Sequence, residues 1–164
     1  GNMLIVEGLD GSGKTTLINN LLNHGGQLLK PSNIDNSLQK YQLLLNKSSD
    51  KSIMDRSFIS EMVYGKVLTN RTKLTEQEYY ELLSLYSKYN SNIVYLYAPK
   101  SILLKRRNND LKDKFVLSKY YEELLNEFQK RLDQANNFLP VFKINTYENN
   151  QQEATLKVKK LTKF

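Results

Sequence analysis

Gly8-Leu9-Asp10-Gly11-Ser12-Gly13-Lys14-Thr15 places glycines, a lysine and a hydroxyl at the spacing G-x-x-x-x-G-K-[ST], and residues of those types at that spacing wrap a polyphosphate. Gly8, Gly11 and Gly13 can reach backbone angles that turn successive N–H groups inward, so phosphate oxygens meet donors without a side chain intervening. Lys14 would supply a point charge to the β- and γ-phosphates, and the Thr15 hydroxyl would ligate Mg²⁺. With Asp10, Ser12 and Thr16 the segment is expected to bind ATP. A glycine-rich turn that merely joined two elements would have no need of Gly-Lys-Thr in this register.

A second constellation runs from Asp55-Arg56 through Ser60 to Tyr64. An Asp at a strand end beside a phosphate loop can hold Mg²⁺ or its water, and an adjacent Arg can fork onto phosphate oxygens. An ion pair at a helix entry is the other reading of Asp55-Arg56. Further along, Arg106, Arg107 and Lys114 lie in a charged stretch and are candidates for the transferring phosphoryl group, against the alternative of solvated charge at a helix end. The chain has no cysteine and one histidine, His24, so neither a disulfide framework nor a Cys/His metal centre is expected.

The elements that must position these residues are visible in the hydrophobic pattern. Leu4 to Glu7 reads as a strand feeding the loop, and Leu17, Ile18, Leu21 and Leu22 follow at helical spacing, predicting a helix over 15–23. A short strand is expected near 27–30, before Pro31, and a helix over 35–46 with Leu38, Tyr41, Leu44 and Leu45 on one face. Residues 51–54 predict a buried strand ending at Asp55, and a helix from Ser57 carries Phe58, Ile59, Met62 and Val63. Thr75-x-x-Glu78 is a capping box opening a helix to about Tyr89, with Tyr79, Leu82, Leu83 and Tyr86 as its apolar face and both of these tyrosines expected in the core. Residues 92–97 are the clearest strand. A short helix through Leu103, a charged stretch over 105–114, a long helix over 118–137, a strand over 141–145 and a final helix complete the chain.

Strands alternating with helices predict an α/β fold, a three-layer sandwich with a five-stranded parallel sheet and helices on both faces. Ligands should then lie at the strand C-terminal ends, where Gly8 and Asp55 both fall. At 164 residues a single domain over 1–164 is expected. The net charge of +7 suits an anionic partner such as a nucleotide. The basic run 157–163 reads as the charged face of a terminal helix, so nucleic acid is not expected as a partner. No secretory signal and no run of about 18 apolar residues occurs, which predicts a cytoplasmic protein without membrane contact. The abundance of Asn, Lys, Ile and Tyr fits an AT-rich genome such as a bacteriophage's.

These motifs resemble the P-loop deoxynucleotide kinases of the thymidylate kinase type, relatives of the deoxynucleoside kinases. The family opening E-G-x-D-G-x-G-K-T-T is similar to Glu7 through Thr16, and D-R-x-x-x-S-x-x-x-Y to Asp55, Arg56, Ser60 and Tyr64. Tyr97-Ala98-Pro99 through Arg106 looks like the strand, proline, helix and arginine that lead to a lid, placed here at about 105–117. Its D-R-F-E-like end is Asp113-Lys114-Phe115-Val116, with Lys and Val replacing Arg and Glu. The chain is also shorter than that family between its second strand and Asp55, which leaves base specificity and homodimer formation open.

The resemblance implies transfer of the γ-phosphate of ATP, with Mg²⁺, to a deoxynucleoside 5′-monophosphate. Lys14, Asp55, Arg56 and Arg106 would be catalytic, Thr15 and Asp55 would hold the metal, and Arg106 and Arg107 would contact ATP. Asp10, Arg56, Ser60 and Tyr64 would bind the acceptor, Asp10 through its sugar hydroxyl and Arg56 through its phosphate. A deoxynucleoside kinase is the nearest alternative, yet it would need a carboxylate base after the second strand, where Lys30-Pro31-Ser32 stands; Asp35 could serve under a shifted register. A polynucleotide 5′-kinase and a non-catalytic nucleotide switch are the remaining readings. A switch would need a D-x-x-G and an [NT]-K-x-D segment, and Asn46-Lys47-Ser48-Ser49 lacks the final Asp.

Overall fold

The structure, a computed structural model, describes residues 3–107 and 110–162. Five parallel strands, β1 (Met3–Gly8), β2 (Gln27–Leu28), β3 (Ser52–Asp55), β4 (Ser91–Tyr97) and β5 (Val141–Asn145), form one sheet in the order β2-β3-β1-β4-β5. The connecting helices are α1 (Lys14–Leu22), α2 (Ser37–Asn46), α3 (Phe58–Tyr64), α4 (Glu76–Ser87), α5 (Lys100–Arg106), α6 (Leu111–Ala135) and α7 (Gln151–Thr162). This is the expected three-layer α/β sandwich.

Alternation along the strands builds both faces, because successive side chains of a strand point to opposite sides. Leu4 and Val6 of β1 join Ile53, Val94 and Ile144 beneath α1 and α7. Met3 and Ile5 join Met54, Ile93 and Tyr95 under the larger layer formed by α2, α3, α4 and α6. Covering both faces explains why the central strands read as continuous apolar runs. The predicted tyrosines, Tyr79 and Tyr86, lie fully in the core, where Phe58 meets both rings edge to face.

The strand order makes β1 a switch point, with β3 on one side and β4 on the other. The loop at Gly8 therefore emerges between the segment that follows Asp55 and the segment that follows Tyr97. Arg56 N donates to Val6 O at 2.9 Å, so the second motif starts level with the end of β1.

Several boundaries differ from the sequence pattern. Helix α6 starts at Leu111, not Ser118, because the Asp110 side chain caps it by accepting from Asp113 N at 3.0 Å. The described part of the predicted lid is thus mainly the first turns of a long helix, and residues 108 and 109 lie outside the described residues. Helix α2 starts at Ser37, where Asn36 accepts from Gln39 N at 2.9 Å, rather than at Asp35. The capping box at Thr75 and Glu78 forms in both directions.

Helix α3 also continues into an unpredicted π-helical turn over Gly65–Thr69, closed by Asn70 in the left-handed region. Gly65 permits it, since a Cβ there would stand 2.5 Å from Arg71 O. Between α4 and α6, Arg131 is buried at 1% exposure and forks onto Glu76 at 2.5 and 2.8 Å while its Nε donates to Glu127 at 2.8 Å. Among the described residues no helix is long and apolar enough to cross a membrane.

Candidate active site

The phosphate loop is held from beneath by close backbone approach. Gly8 has φ 152°, and a Cβ there would meet Ser12 Oγ at 2.5 Å and Leu96 O at 2.6 Å, so only glycine lets the loop fold down beside β4. Ser12 is consequently buried, with its side chain packed under the loop. Its carbonyl accepts from Thr146 Oγ1 at 2.7 Å, which ties the loop to the end of β5.

Lys14 opens α1 and is 8% exposed. Burial, and next the neighbouring Arg56, lower its pKa from 10.5 to about 8. A cation so poorly solvated is poised for an anion, which would restore the favoured charged form. Gly11, Gly13, Thr15 and Thr16 line the same cleft of about 380 Å³, and Asn149 and Gln151, beyond β5, close its far side. The α1 N-terminus adds its positive end to this cleft.

Arg106 and Arg107 reach the cleft from the end of α5, but their forks are engaged. Arg106 donates to Gly11 O, Thr146 Oγ1 and Thr146 O, each at 3.0 Å. It fastens the phosphate loop to the β5 exit. Arg107 grips Asp113 through Nε at 3.2 Å and through Nη2, with Asp110 at 3.7 Å. Its reach toward a phosphate would require exchange of those carboxylates. Lys114 sits half-buried in the first turn of α6.

A second, larger cleft of about 660 Å³ lies against α3 and the π-turn, and Arg56, Ser60 and Tyr64 line it. Arg56 has φ 67°, a left-handed conformation for a residue other than glycine, which neighbouring contacts must hold in place. Its Nη2 donates to Asp10 Oδ1 at 2.7 Å and its Nη1 to Ser60 Oγ at 3.4 Å, while the guanidinium lies 5.2 Å from the Tyr64 ring centre. Asp10 lines the first cleft and Arg56 the second. Their ion pair is the seam between the two.

Asp55 ends β3 exposed, and Thr15 is exposed at the start of α1. Asp55 lies near enough to Lys14 to act on its charge. Among the described residues no group of three or more His, Cys, Asp or Glu is gathered as a metal cage. Mg²⁺ does not require one, because it keeps several waters and shares phosphate oxygens with one or two protein oxygens. The Thr15 hydroxyl and the Asp55 carboxylate fit that donor set.

Sequence reasoning missed the far wall of the second cleft, which Arg71, Thr72 and Lys73 supply. Arg71 N donates to Gly65 O at 3.2 Å, so the wall is folded back against the π-turn. It also missed Glu61, which lines this cleft and receives Lys40 Nζ at 2.5 Å and Tyr41 O–H at 3.1 Å on one oxygen while the other stays buried without a partner. Ser60, Glu61 and Tyr64 are helical neighbours on α3 and Leu68 follows Tyr64 by four residues, a spacing that could have flagged Glu61 and Leu68. Asp35 precedes α2 as an exposed residue and lines neither cleft.

Residues 29–163 match the family described as deoxynucleoside kinase, a span that begins after the phosphate loop and covers most of the chain. Comparison with curated proteins gives no match. Among solved structures, the YorR protein of Bacillus subtilis, determined in complex with phosphorylated GDP, is similar with a TM-score of 0.78 at 21% identity, over 98% of this chain and 95% of that one. Deoxyadenosine kinase from M. mycoides with bound dATP gives 0.65 at 17% identity over 97% and 98%. Thymidylate kinase from Candida albicans gives 0.65 at 15% over 99% and 91%. At such identities these likenesses concern the fold.

Proposed function

The chain belongs to the deoxynucleoside kinase family, and from that premise we propose that it transfers the γ-phosphate of ATP to a deoxynucleoside 5′-monophosphate. As a nucleoside or nucleotide kinase it needs a donor and an acceptor cleft that meet. The observation that carries the choice of acceptor is the charge of the second cleft. Arg56, Arg71 and Lys73 line it, against the one carboxylate Glu61, which Lys40 already pairs. A cavity with that balance favours an acceptor that brings an anion of its own.

Phosphoryl transfer requires in-line positioning and neutralisation of charge more than covalent chemistry. Lys14 and the backbone N–H groups of the loop hold the donor phosphates, and Thr15 and Asp55 would hold Mg²⁺, which would supply charge neutralisation there. Arg56 turns from Asp10 to the acceptor phosphate, and Asp10, released, takes the acceptor sugar hydroxyl. A phosphate monoester, with its second pKa about 6, is largely ionised near neutral pH and attacks without a strong general base. Tyr64 and Leu68 offer the apolar surface against which the acceptor nucleoside rests.

A deoxynucleoside acceptor is the second reading, favoured by the family match itself. A sugar hydroxyl would have to be relieved of its proton. Lys30-Pro31 occupies the exit of β2, where that carboxylate base would stand. Transfer from ATP to matched pairs of deoxynucleoside and 5′-monophosphate distinguishes the two. Oligonucleotide 5′-hydroxyl ends belong in the same panel, since the polynucleotide reading rests on net charge alone.

A further inference from the structure

Glu7 is a carboxylate that the account above leaves without a task. It is wholly buried as the penultimate residue of β1, immediately before Gly8. Burial raises its pKa, against the hydrogen bonds of Ser57 and Ser60 and the charges of Arg56 and Lys14. Among the described residues no lysine or arginine forms an ion pair with it. A buried carboxylate held by neutral donors alone costs stability that an apolar residue would not.

What it holds is the entry of α3. Ser57 Oγ donates to Glu7 Oε2 at 2.6 Å, Ser60 N donates to the same oxygen at 3.3 Å, and Ser60 Oγ donates to Oε1. Ser57 at the same time caps α3 by accepting from Ile59 N at 3.1 Å. Ser60 Oγ, its own hydrogen spent on Glu7, turns its lone pairs to Arg56 Nη1 at 3.4 Å. Arg56 thus donates to Ser60, and Ser60 to Glu7, in a directed chain whose members polarise one another.

The two ends of the Arg56 fork are therefore set by two carboxylates, one at the end of β1 and one in the loop that follows it. Asp10 takes Nη2 directly, and Glu7 governs Nη1 through Ser60. Asp10 lines the donor cleft and can be displaced by an incoming anion, whereas Glu7 is wholly buried. Ser57 and Ser60 both line the acceptor cleft, so the relay runs from the root of the phosphate loop to the acceptor surface. The left-handed backbone of Arg56 supplies an independent reason for a rigid support at this point.

We propose that Glu7 is a positioning residue: through Ser60 it holds the Arg56 fork toward the acceptor and links the donor loop to the acceptor cleft. This rests on the reading of Arg56 as the acceptor's anion contact. When the acceptor arrives, the Asp10 bond is exchanged and the Ser60–Glu7 support remains, so Arg56 stays aimed while its partner changes.

The test uses Glu7→Gln, Ser60→Ala and the double variant, assayed with the best acceptor of the wild-type panel. Each single variant should raise the acceptor KM tenfold or more, leave the KM for ATP within twofold and keep kcat within about threefold. The double variant should be no worse than Glu7→Gln, because both changes cut one chain of contacts. If Glu7→Gln fails to fold, Ser60→Ala carries the test. An acceptor KM within twofold of wild type in the folded variants, or equal rises in both KM values, overturns the proposal. Absence of monophosphate transfer by the wild-type chain would instead count against the proposed function.

Discussion

Arg56 Nη2 lies 2.7 Å from Asp10 Oδ1, and this ion pair closes the boundary between a cleft floored by the phosphate loop and a cleft walled by α3. Both side chains are partly solvated, at 28% and 29% exposure, so the bond is weak enough to exchange. An acceptor phosphate offers Arg56 a stronger, bidentate partner than one carboxylate oxygen. On the proposed reading, the pair is the resting arrangement of two groups that separate when both substrates are present.

Arg56→Ala should therefore lower kcat/KM for the acceptor by about a hundredfold or more, the scale expected when a charge-assisted fork of roughly 3 kcal/mol is lost. Arg56→Lys should recover only part of it, since an ammonium cannot fork. Affinity for ATP, read by calorimetry without acceptor, should change less than threefold. Unchanged acceptor kinetics would refute the assignment.

Lys14 gives a pH signature. Its free-state pKa of about 8, down from 10.5, means that it is charged below pH 8 and progressively neutral above. Bound polyphosphate favours the cation and raises the pKa, so ATP binding should take up a proton at pH 8.5 to 9 and none near pH 6.5. Calorimetry in buffers of different ionisation enthalpy measures that uptake, and Lys14→Ala should abolish it. The folding sign follows from linkage: the unfolded chain binds the extra proton between pH 8 and 10.5, so this group's penalty on the empty fold is full below pH 8 and is relieved as pH rises through that window.

Much of this site can be read from residue order, and the reasons for what cannot are physical. The loop at Gly8 and the run Asp55-Arg56-Ser60-Tyr64 carry their own geometry, because spacing along one strand exit or one helix face fixes which side chains converge. Glu7 is hidden in the pattern because a residue at a strand end is the same letter whether it meets water or the serines of α3. Residues 105–114 read only as a charged stretch, yet Asp110 caps α6 and the exposed Leu111 and Phe115 show that its first turns lack an apolar covering to betray a helix. Arg71 and Lys73 belong to no motif, and the fold-back of Arg71 onto Gly65 brings them to the cleft.

Arg71→Ala and Lys73→Ala should each raise the acceptor KM severalfold while ATP affinity holds, because both line the acceptor cleft and neither lines the donor cleft. Steady-state kinetics with each substrate varied in turn decides this. A larger effect on ATP than on the acceptor would show that the two clefts have been assigned the wrong substrates.

Arg131 is a structural counterpart. Removing it by Arg131→Ala strands the Glu127 carboxylate, whose side chain is 13% exposed, and opens space under the Tyr79 ring. A loss of about 3–5 kcal/mol in denaturant unfolding is expected. Glu76→Gln, at a carboxylate 60% exposed, should cost about 1 kcal/mol or less.

The central claim is that the acceptor brings its own phosphate to Arg56. The most direct measurement is the kcat/KM for phosphoryl transfer from ATP to each deoxynucleoside beside its own 5′-monophosphate, with Mg²⁺ present. For at least one base the monophosphate should exceed its nucleoside by tenfold or more, and Arg56→Ala should erase that preference. Nucleosides phosphorylated as well as or better than their monophosphates for every base would contradict the account.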